Sequence, residues 1–329
     1  MARPMTAVAS RPFAWRAGLL ATRPRTLAAG LVPVAVGTAL PGPGIAVRWD
    51  AAAGCLLGAL LIQIGVNFAN DAFDALKGAD TPARLGPQRA VASGLITPRA
   101  MLVGTAIVLL AALGIGLWLT TIGGWPILVL GLVSLICAIA YTGGPYPLAY
   151  HGLGDLFVLL FFGLFAVLGS AWVQVADLVA RFFTPGAMVT FREGMSYPDT
   201  WLLHLPGEWW LIAGAIGLQA TAIIAVNNLR DIATDAPVGK RTLAVRLGEH
   251  RTRWYYALLH LAAAGCWWAA TALLAQGWLA VPATIATVGG AALAVGVART
   301  HGAGLNRYLA RSASLELITG LSAVVALRI

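Results

Sequence analysis

Charge is scarce in this chain. Only 11% of its 329 residues are charged, where a soluble domain carries about 25%. So little charge, with 59% hydrophobic residues, excludes an ordinary soluble domain and leaves membrane helices as the natural reading. Cysteine is rare too. Cys55, Cys137 and Cys266 each sit inside an apolar run, with neither metal-ligand spacing nor a disulfide framework, and read as small hydrophobic residues. His151, His204, His250 and His301 fall in expected loops and His260 near a span, so the histidines form no ligand set. No compact apolar segment with a cleavage site opens the chain, so the first apolar run is expected to be a retained helix.

What is abundant is apolar sequence in helix-spanning lengths. The runs are 18–40, 51–70, 100–120, 124–141, 153–176, 209–228, 254–275, 278–298 and 312–327, each near the roughly 20 residues that cross a bilayer. They predict an all-α polytopic membrane bundle of nine transmembrane helices. Residues 1–17 form an N-terminal arm, 18–329 a single membrane domain, and 177–208 a long non-cytoplasmic segment. Pro24 and Pro33 are expected to break or kink the first run. With the N-terminus in the cytoplasm, the 22 Lys and Arg fall on the cytoplasmic side except Arg48, Arg181, Arg192 and Arg328. That is the positive-inside bias of a multi-pass protein of the cell (cytoplasmic) membrane. The net charge of +9 is thereby explained by loops at a membrane, and nucleic acid is not called for. The tryptophans, including Trp209-Trp210 and Trp267-Trp268, are expected to mark the membrane interfaces.

Only 13 residues are acidic, and five of them fall in two short stretches on the expected cytoplasmic face. In N-F-A-N-D-A-F-D-A-L-K-G-A-D, Asn67, Asn70, Asp71 and Asp74 recur at three or four residues, so a helix continuing from the second span puts them on one face. Gly78 should end that helix, leaving Asp80 in the loop. In N-N-L-R-D-I-A-T-D-A-P-V-G-K-R-T, Asn227, Asp231 and Asp235 are each four apart, and Pro237 should end that helix. Clustered carboxylates repel one another and stay ionised beside cations. Mg²⁺ prefers oxygen and usually takes one or two carboxylates plus substrate phosphate oxygens. Lysine sharpens the pattern: the only two, Lys77 and Lys240, fall one in each stretch, and a compact ammonium is a common phosphate partner. Ordinary helix-end charge is the bland alternative for either cluster alone; both together, each with a lysine, favour a Mg²⁺-diphosphate site.

The paired N-D-x-x-D and D-x-x-x-D motifs on a nine-helix frame resemble the UbiA-type intramembrane prenyltransferases. R-P-R-T-L (23–27), R-L-G-P-Q-R-A-V-A-S-G (84–94), Y-T-G-G-P-Y-P-L-A-Y-H-G-L-G-D (141–155) and G-K-R-T-L-A-V-R-L-G (239–248) are similar to the branch that prenylates 1,4-dihydroxy-2-naphthoate in menaquinone synthesis. Ala236-Pro237 departs from that branch, which usually has a more polar pair there. The resemblance implies a helical bundle around a central cavity with the acidic motifs facing each other at its cytoplasmic end. It implies a polyprenyl diphosphate and an aromatic acceptor as partners, with prenyl transfer accompanied by loss of the ring carboxylate.

The expected metal ligands are Asp71, Asp74, Asp231 and Asp235, joined by Asn70 and Asp80. Candidate diphosphate contacts are Lys77, Arg84, Arg89, Tyr141, Tyr146, Lys240 and Arg241. Asn67, Arg23 and Arg25 are candidates for the acceptor, although Asn67 could equally make an interhelical hydrogen bond, and arginines placed like Arg23 and Arg25 are more often interface anchors. Asp155 could assist proton transfer or cap a helix. Glu316, inside the last run, is costly and is expected to pair or be neutral. Another aromatic acceptor, such as 4-hydroxybenzoate or homogentisate, is the alternative within this chemistry. A membrane cation or substrate transporter is the alternative outside it, which the acids' place at helix ends disfavours. Prenyl length, oligomeric state and the proton acceptor are left open.

Overall fold

The computed structural model describes residues 14–80, 85–86, 89–182, 189–190, 196–197 and 205–329. Side chains at Arg25 and at 177–204 lie outside that description, as does Arg84 altogether. The chain is helical almost throughout. A short helix α1 (Ala14–Thr22) is followed by α2 (Pro24–Ala39), α3 (Trp49–Leu76), α4 (Pro98–Gly123) and α5 (Trp125–Ala140). Then come α6 (Gly154–Val158), a π-helical stretch (Leu159–Phe165), α7 (Ala166–Phe182), α8 (Gly207–Asp235), α9 (Leu243–Leu274), α10 (Ala280–Ala298) and α11 (Asn306–Arg328). Two two-residue strands, Val189–Thr190 and Ser196–Tyr197, pair antiparallel in the segment between α7 and α8.

Among the described residues, seven helical segments are long and apolar enough to cross a membrane: 49–76, 98–123, 154–176, 207–238, 243–274, 277–298 and 302–328. The other two expected runs form the shorter apolar helices Gly30–Ala39 and Trp125–Ala140. Pro33 is accommodated inside α2, and the break comes at Arg23, whose backbone is left-handed (φ 53°, ψ 66°) between α1 and Pro24. Both acidic stretches extend their helices, α3 to Leu76 and α8 to Asp235, where Pro237 converts the next turn to a 3₁₀ turn.

The largest interior cluster draws on α2, α7, α8, α9, α10 and α11. Helices approach closely where glycine meets glycine. A Cβ on Gly163 of the π-helical stretch would stand 2.7 Å from the Gly217 Cα of α8, the small-residue contact that lets membrane helices pack backbone to backbone. Outward, Val103, Ile107 and Leu110 of α4, Leu258 and Leu261 of α9 and Ile318, Leu321 and Val325 of α11 are exposed, as a lipid-facing surface requires. The tryptophan expectation needs correction. Trp49, Trp125 and Trp278 are exposed at or near helix starts and suit an interface. Trp209 and Trp267, however, are buried in the helix-packing core, where their area contributes more than an interfacial position would.

Candidate active site

A cavity of about 1340 Å³ opens between the helices. Its polar end is lined by Asn67, Asn70, Asp71 and Asp74 of α3, by Asn227, Asn228, Arg230 and Asp231 of α8, and by Arg23, Arg89, Tyr141, Asp155, Lys240 and Asn306. Its apolar remainder includes Phe157, Phe161, Phe162 and Phe165 from α6 and the π-helical stretch. Two acidic stretches about 160 residues apart in sequence thus meet at one cavity. Asp80 and Asp235 do not line it; each sits just behind, against Arg89 and Lys240 respectively.

The first cluster is buttressed from outside its own helix. Asp71 accepts the backbone N–H groups of Ala90 (3.0 Å) and Val91 (3.2 Å), which docks the start of the 89–97 loop onto α3. Asp74 accepts Arg89 Nη2 at 3.1 Å on one oxygen and the Tyr150 hydroxyl at 2.9 Å on the other. Arg89 also faces Asp80 at 3.5 Å. Asn70 accepts the Thr142 hydroxyl at 2.8 Å, and the Thr142 carbonyl accepts Lys77 Nζ at 2.6 Å. Burial and the neighbouring Asp74 carboxylate raise the Tyr150 phenol's pKa, keeping it a neutral donor. Burial lowers the Lys77 pKa, with Asp74 opposing.

The second cluster is held by its own neighbour. Arg230 forks onto Asp231, Nε to Oδ1 at 2.7 Å and Nη2 to Oδ2 at 2.6 Å. Its remaining reach goes to Asn227 Oδ1 (2.9 Å) and to Asn306 Oδ1 on α11 (2.6 Å). An Arg–carboxylate fork is strong and geometrically defined, so the buried Arg230 fixes Asp231 and ties α8 to α11. Lys240 lies 3.7 Å from Asp235.

Not every sequence candidate reaches the cavity. Tyr146 is exposed and stacks on His151 with ring centroids 3.6 Å apart. Lys77 and Arg241 line a separate small pocket next door. Asn67 turns its amide to the Thr22 carbonyl at 2.9 Å; it lines the cavity but makes the interhelical bond, clamping the end of α1 where Arg23 begins. Arg23 is aimed at the cavity by its left-handed backbone. Arg84 and the Arg25 side chain lie outside the described residues. Asp155 is buried in the cavity wall as the second residue of α6, hydrogen-bonded to Tyr255, and the position preceding that helix is Leu153, so it does not cap it. Sequence reasoning missed Arg230, counted only as a loop cation, and Tyr150, which stands inside a stretch already singled out. Arg230's place between Asn227 and Asp231 was the available sign.

The model of the UbiA prenyltransferase family matches residues 30–311. The chain is 36% identical over 269 residues to the 1,4-dihydroxy-2-naphthoate octaprenyltransferase of Escherichia coli, covering 78% of this chain and 76% of that one. It is 38% identical over 247 residues to the protein of that name from Mycobacterium tuberculosis, covering 74% and 73%. Among solved structures, a UbiA homolog from Archaeoglobus fulgidus bound to GPP and Mg²⁺ superposes with a TM-score of 0.65 at 14% identity, covering 95% of this chain and 100% of that one. The apo UbiA homolog from Aeropyrum pernix gives 0.64 at 16%, covering 91% and 96%. The low identity of these two structures speaks for the fold; the family match and the closer sequence relatives speak for the chemistry. A predominantly helical membrane protein with two acidic helix ends on one cavity, matched over most of its length, this chain belongs to the UbiA prenyltransferase family.

Proposed function

We propose that this prenyltransferase transfers a polyprenyl group from its diphosphate to 1,4-dihydroxy-2-naphthoate, with loss of the ring carboxylate, giving demethylmenaquinol for menaquinone synthesis. The protein would act in the cell membrane, nine spans enclosing the cavity, with its polar end toward the cytoplasm. The observation that carries the reading is the meeting of the α3 and α8 acids at a cavity whose remainder is apolar. The names of the relatives support the acceptor.

The donor chemistry fits Mg²⁺. Asn70, Asp71, Asp74 and Asp231 offer only oxygen at the cavity, with Asp80 and Asp235 behind them. Mg²⁺ usually takes one or two carboxylates, with substrate phosphate oxygens completing its shell. Bound there, Mg²⁺ would neutralise charge on the leaving diphosphate. Arg89, Lys240 and Tyr141 face the diphosphate. Arg23, at the hinge that Asn67 clamps, faces the acceptor carboxylate. Asp155, held by Tyr255, takes a hydrogen bond from a ring hydroxyl. The phenylalanines of α6 and the π-helical stretch line the path of the prenyl chain and keep water from the allylic carbon once its C–O bond breaks.

The test is a membrane assay with a panel of aromatic acceptors, prenyl diphosphate and Mg²⁺. The naphthoate should give lipid-soluble product with release of one CO₂, and EDTA should stop it. Faster turnover of 4-hydroxybenzoate or homogentisate would remove the naphthoate assignment.

A further inference from the structure

A second pocket, of about 460 Å³, adjoins the reaction cavity. Its wall carries Lys77, His151, Arg241 and Arg246, and among the described residues no carboxylate lines it. Its order comes from backbone contacts. Arg241 N–H donates to the Tyr150 carbonyl at 3.1 Å, docking the 236–242 turn on the 148–151 turn. Arg246 Nε donates to the Arg241 carbonyl at 3.2 Å. Gly152 leaves the space behind Arg246 open: a Cβ there would lie 2.9 Å from Arg246 Nε, and φ of +76° disfavours one anyway.

Tyr150 is the partition between the two chambers. It lines the small pocket while its hydroxyl bonds Asp74 of the large one. The chain's only two lysines stand on either side. Lys240 lines the cavity and Lys77 the pocket, with their Nζ atoms 5.8 Å and 4.5 Å from the Tyr150 ring centroid. An anion leaving the cavity past Tyr150 would pass from one flexible ammonium to the other and meet two guanidinium groups beyond. Asp74, Asp80 and Asp235, the acids that act on Tyr150, are met by Arg89 and Tyr150, by Arg89, and by Lys240 respectively.

We propose that this pocket is a second anion site that receives the inorganic diphosphate released in the cavity. The origin of that diphosphate rests on the prenyl-transfer reading; the site itself does not. It binds diphosphate without divalent metal, through Lys77, Arg241 and Arg246.

The experiment is equilibrium binding of inorganic diphosphate to the full chain in phosphatidylcholine nanodiscs, with EDTA and no prenyl substrate. The wild type should bind saturably. Arg246→Gln should weaken binding about tenfold, the worth of one charge-assisted hydrogen bond, and Arg246→Lys should recover part of it. Adding Arg241→Gln should weaken it further. Asp71→Asn and Asp231→Asn should retain it. Equal binding by wild type and Arg246→Gln, with the variant's thermal unfolding unchanged, overturns the proposal. So does binding abolished by the two aspartate changes, which would put the anion in the cavity. Repeating the titration in phosphatidylglycerol nanodiscs separates the sources: if anionic lipid eliminates diphosphate binding, the pocket holds a headgroup and the product assignment fails. Turnover with prenyl diphosphate and Mg²⁺ is read separately, so failure of either reading leaves the other visible.

Discussion

The two acid clusters face the same cavity but are built in opposite ways. Asp71 and Asp74 on α3 are positioned by groups from elsewhere: the Ala90 and Val91 amides, Arg89, and Tyr150. Asp231 on α8 is positioned by the residue before it in its own helix, Arg230, in a two-pronged fork. The α3 cluster is therefore only as ordered as the loop and turn that reach it, whereas the α8 cluster is set once its helix forms. This division makes one wall of the site depend on loop docking and the other on helix formation. Both arrangements satisfy buried carboxylate oxygens with N–H and O–H donors of the chain itself.

Removing the charge tests what the clusters share. Asp71→Asn and Asp231→Asn should each lower turnover by about 100-fold or more, since each removes a carboxylate expected to hold the metal that neutralises the leaving group. The rate of product formation in membranes, set against the amount of folded protein, checks this. Full activity in both variants would remove their assigned role. Removing the buttress tests what differs. Arg89→Gln leaves Asp74 and Asp80 short of a buried cation, a loss of about 3–5 kcal/mol by analogy with broken buried pairs. Its effect should concentrate in the 77–97 segment, read as new protease cleavage there before global unfolding. Arg230→Gln should instead lower the global unfolding temperature, because it uncouples α8 from α11 as well as from Asp231. The same cleavage pattern in both variants would erase the contrast. Tyr150→Phe is milder. It removes one hydrogen bond to the Asp74 carboxylate, worth about 1.5 kcal/mol, and should cut turnover about tenfold while the fold persists.

The parts of this molecule legible in the sequence are those governed by local rules. Apolar run length gave the helices, and three-to-four spacing put Asn70, Asp71 and Asp74 on one buried face of α3. Pro237 marked the end of α8 because a proline's missing N–H acts on its own turn. The illegible parts depend on partners far along the chain. Tyr150 reaches Asp74 across 76 residues, and Arg230 reaches Asn306 across 76; no periodicity reports such a meeting. The same limit explains why Lys77 and Arg241 were grouped with Lys240 and Arg89: charge type and proximity to the motifs are visible in the sequence, but the partition that Tyr150 makes between two chambers is not. Trp267 was misplaced for a related reason, since an aromatic near a span end is interfacial only if no neighbouring helix covers it, and here the core does.

A third buried carboxylate sharpens the contrast from the other side. Glu316 on α11 is fully buried, yet neither of its oxygens has a hydrogen-bond partner among the described residues, and Gln219 Oε1 on α8 has none either. Ala313 and Leu317 of α11 line the cavity while Glu316 does not. Unlike Asp74 or Asp231 it has no arginine, and unlike Asp71 it has no amide pair. A buried polar group in this condition costs about 1–3 kcal/mol, and an apolar side chain of similar volume at such a place is often neutral or stabilising. Glu316→Leu should therefore raise the unfolding temperature in detergent and leave turnover within about twofold, the small change expected of a residue outside the cavity lining. A lowered unfolding temperature would mean that Glu316 makes interactions through bound water and belongs with the buttressed acids. A loss of turnover at unchanged stability would link it to the reaction cavity through the α8–α11 contact, and the two-cluster description of the site would need a third member.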